Sequence, residues 1–185
     1  MRRSLLLILI VFLISCKRDL EKVQQFALKS DFATESVTGV QIVYTDSGAL
    51  KAKVEAKLLQ HFPYSKEPYM LIPKGLYATF YDLNQEPNAM VSAGSGIYYE
   101  AKKEMHLKEN VMLVNTKGDT LKTEYLIWDE ANEKISTDHF VKIITPDEVI
   151  FGDGFESNQN FTEYRIRKIR GTLKLNPDGQ KVDSL

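Results

Sequence analysis

The chain has 185 residues, 43% of them hydrophobic and 26% charged, and its 24 Lys and Arg nearly balance its 25 Asp and Glu for a formal net charge of −1. That balance gives no support for a nucleic-acid binder, whose affinity comes from neutralising phosphates, and a single cysteine excludes an intramolecular disulfide and a cysteine-based zinc site. The length suits one domain stabilised by a hydrophobic core.

The chain starts with Arg2 and Arg3, an uninterrupted apolar run from Leu5 to Ile14, then Ser15 and Cys16. This is the outline of a signal peptide. The run is shorter than the roughly 20 apolar residues a spanning helix needs, and Lys17-Arg18-Asp19 follows at once. Leu13-Ile14-Ser15-Cys16 resembles the bacterial lipobox, which implies lipidation of Cys16; the alternative is an unlipidated signal peptide with a chance cysteine. Several acyl chains, each contributing about 0.8 kcal/mol per buried methylene, would hold Cys16 at a membrane. The expected organisation is a signal peptide over 1–15, a lipid-anchored tether over 16–36, a β-domain over 37–175 and a flexible tail over 176–185.

From Val37 to Tyr44 the sequence alternates, with Val40, Ile42 and Tyr44 on one face. Thr45-Asp46-Ser47-Gly48 supplies a turn, and Leu50, Ala52, Val54, Ala56 and Leu58 resume the pattern, so a hairpin is predicted. Pro63, Pro68 and Pro73 remove ladder donors, which predicts a loop or irregular edge from His61 to Pro73. A strand follows from Gly75 to Asp82 with Leu76, Ala78 and Phe80 inward, then another from Ala89 to Tyr98 bent at Gly94 and Gly96. Across this region the pattern recurs about every thirty residues, matching Met105 with Ile135, Val111 with Val141, and Leu113 with Ile143. Polar turns at Ala101–Glu104, Asn115–Asp119, Asp129–Glu133 and Thr145–Asp147 separate these strands, and Tyr164 to Leu175 forms the last.

Helix signals are nearly absent, so the fold class is all-β and antiparallel, a sandwich, barrel or roll. One face of each strand is apolar and the other polar, which forces the sheet to fold over on itself. Composition leaves two outcomes open: an apolar trough open to acyl chains, or a fully closed core.

Residues that carry chemistry are sparse. His61, His106 and His139 lack metal-ligand spacing, no Gly-x-Ser-x-Gly elbow is present, and Gly152-Asp153-Gly154 suits a bend better than a phosphate loop. Neither an enzyme, a metal nor a cofactor is expected. Arg165, Arg167, Lys168 and Arg170 divide between the two faces of the last strand, either as a solvated rim or as a contact for headgroup phosphates.

Taken in order, Thr45-Asp46-Ser47-Gly48 with Leu50, Gly75-Leu76-Tyr77-Ala78-Thr79-Phe80-Tyr81-Asp82, Ala93 with Gly96 and Tyr98, and Asn110-Val111 form a recognisable series. It continues through Gly118-Asp119 with Leu121, Thr123, Glu124 and Leu126, Thr137-Asp138 with Val141, and Gly152-Asp153-Gly154-Phe155. The series resembles the LptC family, the periplasmic component of the lipopolysaccharide-transport bridge, in its Bacteroidetes-type lipoprotein form. The resemblance implies an open antiparallel β-jellyroll of the OstA/LptA/LptC kind. It implies a periplasmic protein at the inner membrane of a Gram-negative bacterium that accepts lipopolysaccharide from an inner-membrane ABC transporter and hands it to an LptA-like bridge protein, docking by edge-strand addition. Many members keep a transmembrane helix where this chain has Cys16. On that reading Leu76, Ala78, Phe80, Met105, Leu107, Val111, Leu113, Leu121, Tyr125, Ile127, Ile135, Val141, Ile143, Phe151 and Phe155 are expected to line the lipid groove. The alternative is a membrane-tethered envelope scaffold that moves no lipid.

Overall fold

A computed structural model describes residues 33–175. The expected signal peptide, nearly all of the tether and the tail lie outside the described residues. Eleven strands are found there: β1 (Glu35–Asp46), β2 (Ala49–Phe62), β3 (Tyr69–Ile72), β4 (Leu76–Tyr81), β5 (Pro87–Ala93), β6 (Ser95–Tyr99), β7 (Glu104–Asn115), β8 (Thr120–Asp129), β9 (Lys134–Ile144), β10 (Glu148–Asn158) and β11 (Tyr164–Lys174). All pair antiparallel in one sheet, and no helix occurs among the described residues.

The main ladder runs β11-β10-β9-β8-β7-β5-β4-β2, with β1 beyond β2. Short β3 and β6 pair with each other and join the Gln60–Phe62 end of β2 to the Glu104–Lys108 end of β7. Among the described residues β1 and β11 each pair on one side only, so both ends of the described sheet present unpaired backbone groups. The sheet folds back on itself: the Trp128 ring of β8 meets Tyr44 of β1 at 6.1 Å and Phe80 of β4 at 5.1 Å, though neither strand is its ladder neighbour. One apolar cluster fills the enclosed space.

Two expectations along the chain are corrected. The segment His61 to Pro73 is not a loop throughout, because β2 runs on to Phe62 and β3 occupies Tyr69–Ile72 with Ile72 buried. Pro68 and Pro73 flank β3 rather than interrupt it, so no ladder donor is lost. The expected single strand Ala89–Tyr98 is two, divided at Gly94, whose N–H donates to the Glu109 carbonyl at 2.8 Å. A Cβ there would stand 2.8 Å from the Glu109 side chain, so the crossing needs glycine.

The division at Gly94 lies on a line of bulges across the sheet. β7 shifts register between Lys108 and Val111, the β8–β9 pairing between Thr123 and Ile127, and the β9–β10 pairing between Asp153 and Phe155. Glu109 and Asn110 take positive φ, 69° and 51°, at the first of these. Bulges bend and twist a strand, and aligned bulges form a crease that lets a long sheet wrap around its own apolar face.

Candidate functional site

The enclosed face is the candidate site, and alternation supplies most of it. Leu76, Ala78 and Phe80 on β4, Met105, Leu107, Val111 and Leu113 on β7, Leu121 on β8, Ile135, Val141 and Ile143 on β9, and Phe155 on β10 all point inward and are buried. Leu113, Leu121, Val141, Ile143 and Phe155 are 0% exposed. These side chains therefore form a closed, packed interior in the isolated chain.

Three residues expected in the groove stand on the other face. Tyr125 and Ile127 follow the stretch of β8 that lies opposite the extra residues of β7 and β9, beyond which Leu126 and Trp128 take the inward positions in their place. The Tyr125 hydroxyl meets His106 Nδ1 at 2.6 Å, and Ile127 is the cross-strand partner of outward-facing His106 and Ser136. Phe151 precedes the β9–β10 register shift between Asp153 and Phe155, so on its side of the shift Ile150, opposite buried Ile143, takes the inner position, and the Phe151 ring stacks on exposed Phe140 at 6.2 Å. Strict alternation fails wherever one strand carries an extra residue.

The expected set omits Leu126, Trp128, Ile150 and Phe161. Phe161 is the least legible of them, since it belongs to the β10–β11 loop. It adopts φ 53°, is 0% exposed, and packs on Phe155 and Tyr164 at 5.6 and 5.2 Å. Asn158 holds the loop through Oδ1, which accepts the Thr162 N–H at 3.0 Å, and buried Asn115 donates from Nδ2 to the Phe161 carbonyl at 2.8 Å. One end of the interior is thus plugged by an aromatic ring.

Polar groups at the rim are satisfied by short bonds. The Tyr98 hydroxyl donates to Glu130 at 2.7 Å, and burial, followed by the Glu130 carboxylate, pushes its pKa well above the ordinary phenol value. Burial likewise raises Tyr44, with Glu130 adding to it. The Trp128 indole N–H is buried with no acceptor among the described residues, which places an unsatisfied donor in an apolar interior.

The outer-face candidates resolve differently. Arg167 pairs with Asp138 and donates to the Thr137 carbonyl at 2.9 Å, and Arg170 pairs with Asp153 at 2.5 Å, so both tie β11 to its neighbours. His61 bonds Glu100 at 2.7 Å, and His106 bonds Glu104 at 2.9 Å. No group of three or more His, Cys, Asp or Glu is arranged to hold a metal among the described residues.

Over the described residues this is an all-β roll with an apolar interior and two edges without a partner strand. The family model for lipopolysaccharide-assembly, LptC-related proteins matches residues 4–172. The chain belongs to the LptC family. Its eleven-stranded antiparallel sheet agrees with the LptC jellyroll-like fold, and members of that family are periplasmic components of the lipopolysaccharide-transport bridge associated with the inner membrane. Among curated proteins no significant match is found.

Proposed function

We propose that this LptC-family chain receives lipopolysaccharide from the inner-membrane ABC transporter and passes its acyl chains through the apolar interior to the next, LptA-like bridge subunit, while lipid on Cys16 holds it at the membrane. The observation that carries this reading is a single apolar cluster enclosed by a sheet whose two terminal strands, β1 and β11, each have one edge without a partner strand among the described residues. Acyl chains cost about 25 cal/mol per Å² in water, and an apolar interior removes that cost. Unpaired edges can each add a strand from a neighbouring jellyroll. The Trp128 N–H offers a donor that an ester or amide carbonyl of an acylated sugar would satisfy.

Because the interior is closed in the isolated chain, acyl chains enter only when its faces part. That closure favours the second reading, a tethered envelope scaffold that docks partners and moves no lipid. Photo-crosslinkers at Leu113, Leu126 and Ile143 in living cells separate the two. Transport predicts capture of lipopolysaccharide from these positions and none from outward-facing Tyr77. Partner crosslinks from exposed Val43 and Ile169 at the two edges, with no lipid at any inward position, would replace transport by scaffolding.

A further inference from the structure

Lys122 of β8 and Lys142 of β9 are cross-strand partners on the outer face. Like charges placed opposite each other destabilise a sheet, and neither lysine has an acid within 4.0 Å among the described residues. Lys51, Lys53, Lys102, Arg167 and Arg170, by contrast, are all paired with carboxylates. The fold thus maintains a doubled positive charge with no carboxylate partner, Lys142 having only the Phe151 ring beside it, with Nζ 5.9 Å from the ring centre.

The two lysines border a cavity of about 510 Å³, whose wall also includes His139, Asn110, Met112 and Phe140. A volume of that order suits a small molecule. The crease creates it: the bulge at Glu109 and Asn110 and the interrupted β8–β9 pairing pull the outer face into a hollow. Both bulge residues hold left-handed backbone without being glycine, a strain that persists only where the surroundings enforce it. Met112 and Phe140 are 38% and 48% exposed, so the hollow has an apolar side as well as a cationic one. Glu124 also borders it, with its Oε2 accepting the Asn110 N–H at 3.3 Å.

We propose that this hollow binds a phosphomonoester carried on an apolar group. The phosphoryl dianion, with a charge of roughly −1.5 to −2 at pH 7, meets the two ammonium groups and relieves their repulsion, and its apolar substituent covers Met112 and Phe140. The site lies on the opposite face from the interior and does not depend on the transport reading.

Phenyl phosphate is the probe, titrated against the full chain in phosphatidylcholine nanodiscs, with the ¹³C ε-methyl groups of Met112 and buried Met105 as reporters. The expected result is a saturable shift of Met112 without a shift of Met105, and dissociation constants weaker for inorganic phosphate and for benzyl alcohol. Replacing both cations, Lys122→Gln with Lys142→Gln, weakens binding of phenyl phosphate by up to about thirtyfold, two exposed charge contacts at about 1 kcal/mol or less each. Because the substitution removes a like-charge pair, the double variant melts no lower than the parent, which separates lost binding from lost folding. Unchanged affinity in the double variant overturns the proposal. So does a shift confined to Met105, or equal affinity for inorganic phosphate and phenyl phosphate, which would leave Met112 and Phe140 without a part.

Discussion

The register shifts on either side of β8 make a sharp claim about two adjacent residues, Leu126 inward and Ile127 outward. Leu126 is 1% exposed inside the apolar cluster, so Leu126→Ala removes a packed side chain and leaves a cavity, at about 2.7–5 kcal/mol. Ile127 is half-buried on the outer face beside His106 and Ser136, and Ile127→Ala forfeits only part of its methylene burial, about 1 kcal/mol. With a urea slope of about 2 kcal/mol/M, Leu126→Ala lowers the midpoint by roughly 1.5–2.5 M and Ile127→Ala by about 0.5 M. The chain's single tryptophan, Trp128, is buried two residues away and reports unfolding by fluorescence. Far-UV circular dichroism supplies the second probe that two-state behaviour requires. If Ile127→Ala costs as much as Leu126→Ala, the inward parity of β8 does not change after Thr123, and the inward assignment of Leu126 and Trp128 fails with it.

Asn115→Ala removes a buried amide whose Oδ1 accepts the Lys117 and Asp119 N–H groups at 2.9 and 3.0 Å and whose Nδ2 reaches the Phe161 carbonyl, at a cost of about 1–3 kcal/mol in chemical denaturation. Hydrogen exchange in that variant should rise both in the β7–β8 turn and in the β10–β11 loop; an increase in the turn alone would deny the bridge. Tyr98 and Tyr44 hold their protons more tightly folded than unfolded, so their contribution is complete below the ordinary phenol pKa of about 10 and is lost as the pH rises beyond it. Melting temperatures should therefore fall above about pH 10, and Tyr98→Phe should flatten that limb while costing about 1.5–3 kcal/mol at neutral pH through the lost bond to Glu130. Lys51 of β2 bonds Glu133 of the β8–β9 turn at 2.9 Å at the solvent-exposed rim, joining elements that are not ladder neighbours. Lys51→Glu should cost no more than about 1 kcal/mol yet speed hydrogen exchange in β1 and β2, and the swapped pair Lys51→Glu with Glu133→Lys should restore the parent rate.

Alternation identified the hairpin face of Ala52, Val54 and Ala56 and most of the interior, because in a regular ladder side chains must alternate between core and solvent. β3 was not legible, since three prolines within a short span read as chain breaking when two of them only bracket the strand. Phe161 was not legible either, because its burial follows from a loop held by Asn158 and from the tertiary bond to Asn115 rather than from any period in the chain. The misplacement of Tyr125, Ile127 and Phe151 has a single cause, a period-2 count carried through register shifts that reset it.

A signal for those bulges was present all the same. Lys108-Glu109-Asn110 on β7 and Asp138-His139-Phe140 on β9 are each three consecutive exposed residues between buried neighbours, about thirty residues apart, so the repeat copies the interruption together with the strands. Three outward residues in succession cannot occur on a regular pleat, and a bulge is the small distortion that permits them. Repeated on alternate strands either side of β8, the distortion bends the sheet along one line. The inner side of that bend brings Trp128 onto Tyr44 and Phe80 and closes the apolar interior. Its outer side opens the hollow between Met112, Lys122 and Lys142. Straightening the crease, for instance by deleting Glu109 so that β7 loses its extra residue, should therefore perturb both faces at once, whereas a change confined to one face would mean that core packing rather than the bulges sets the curvature.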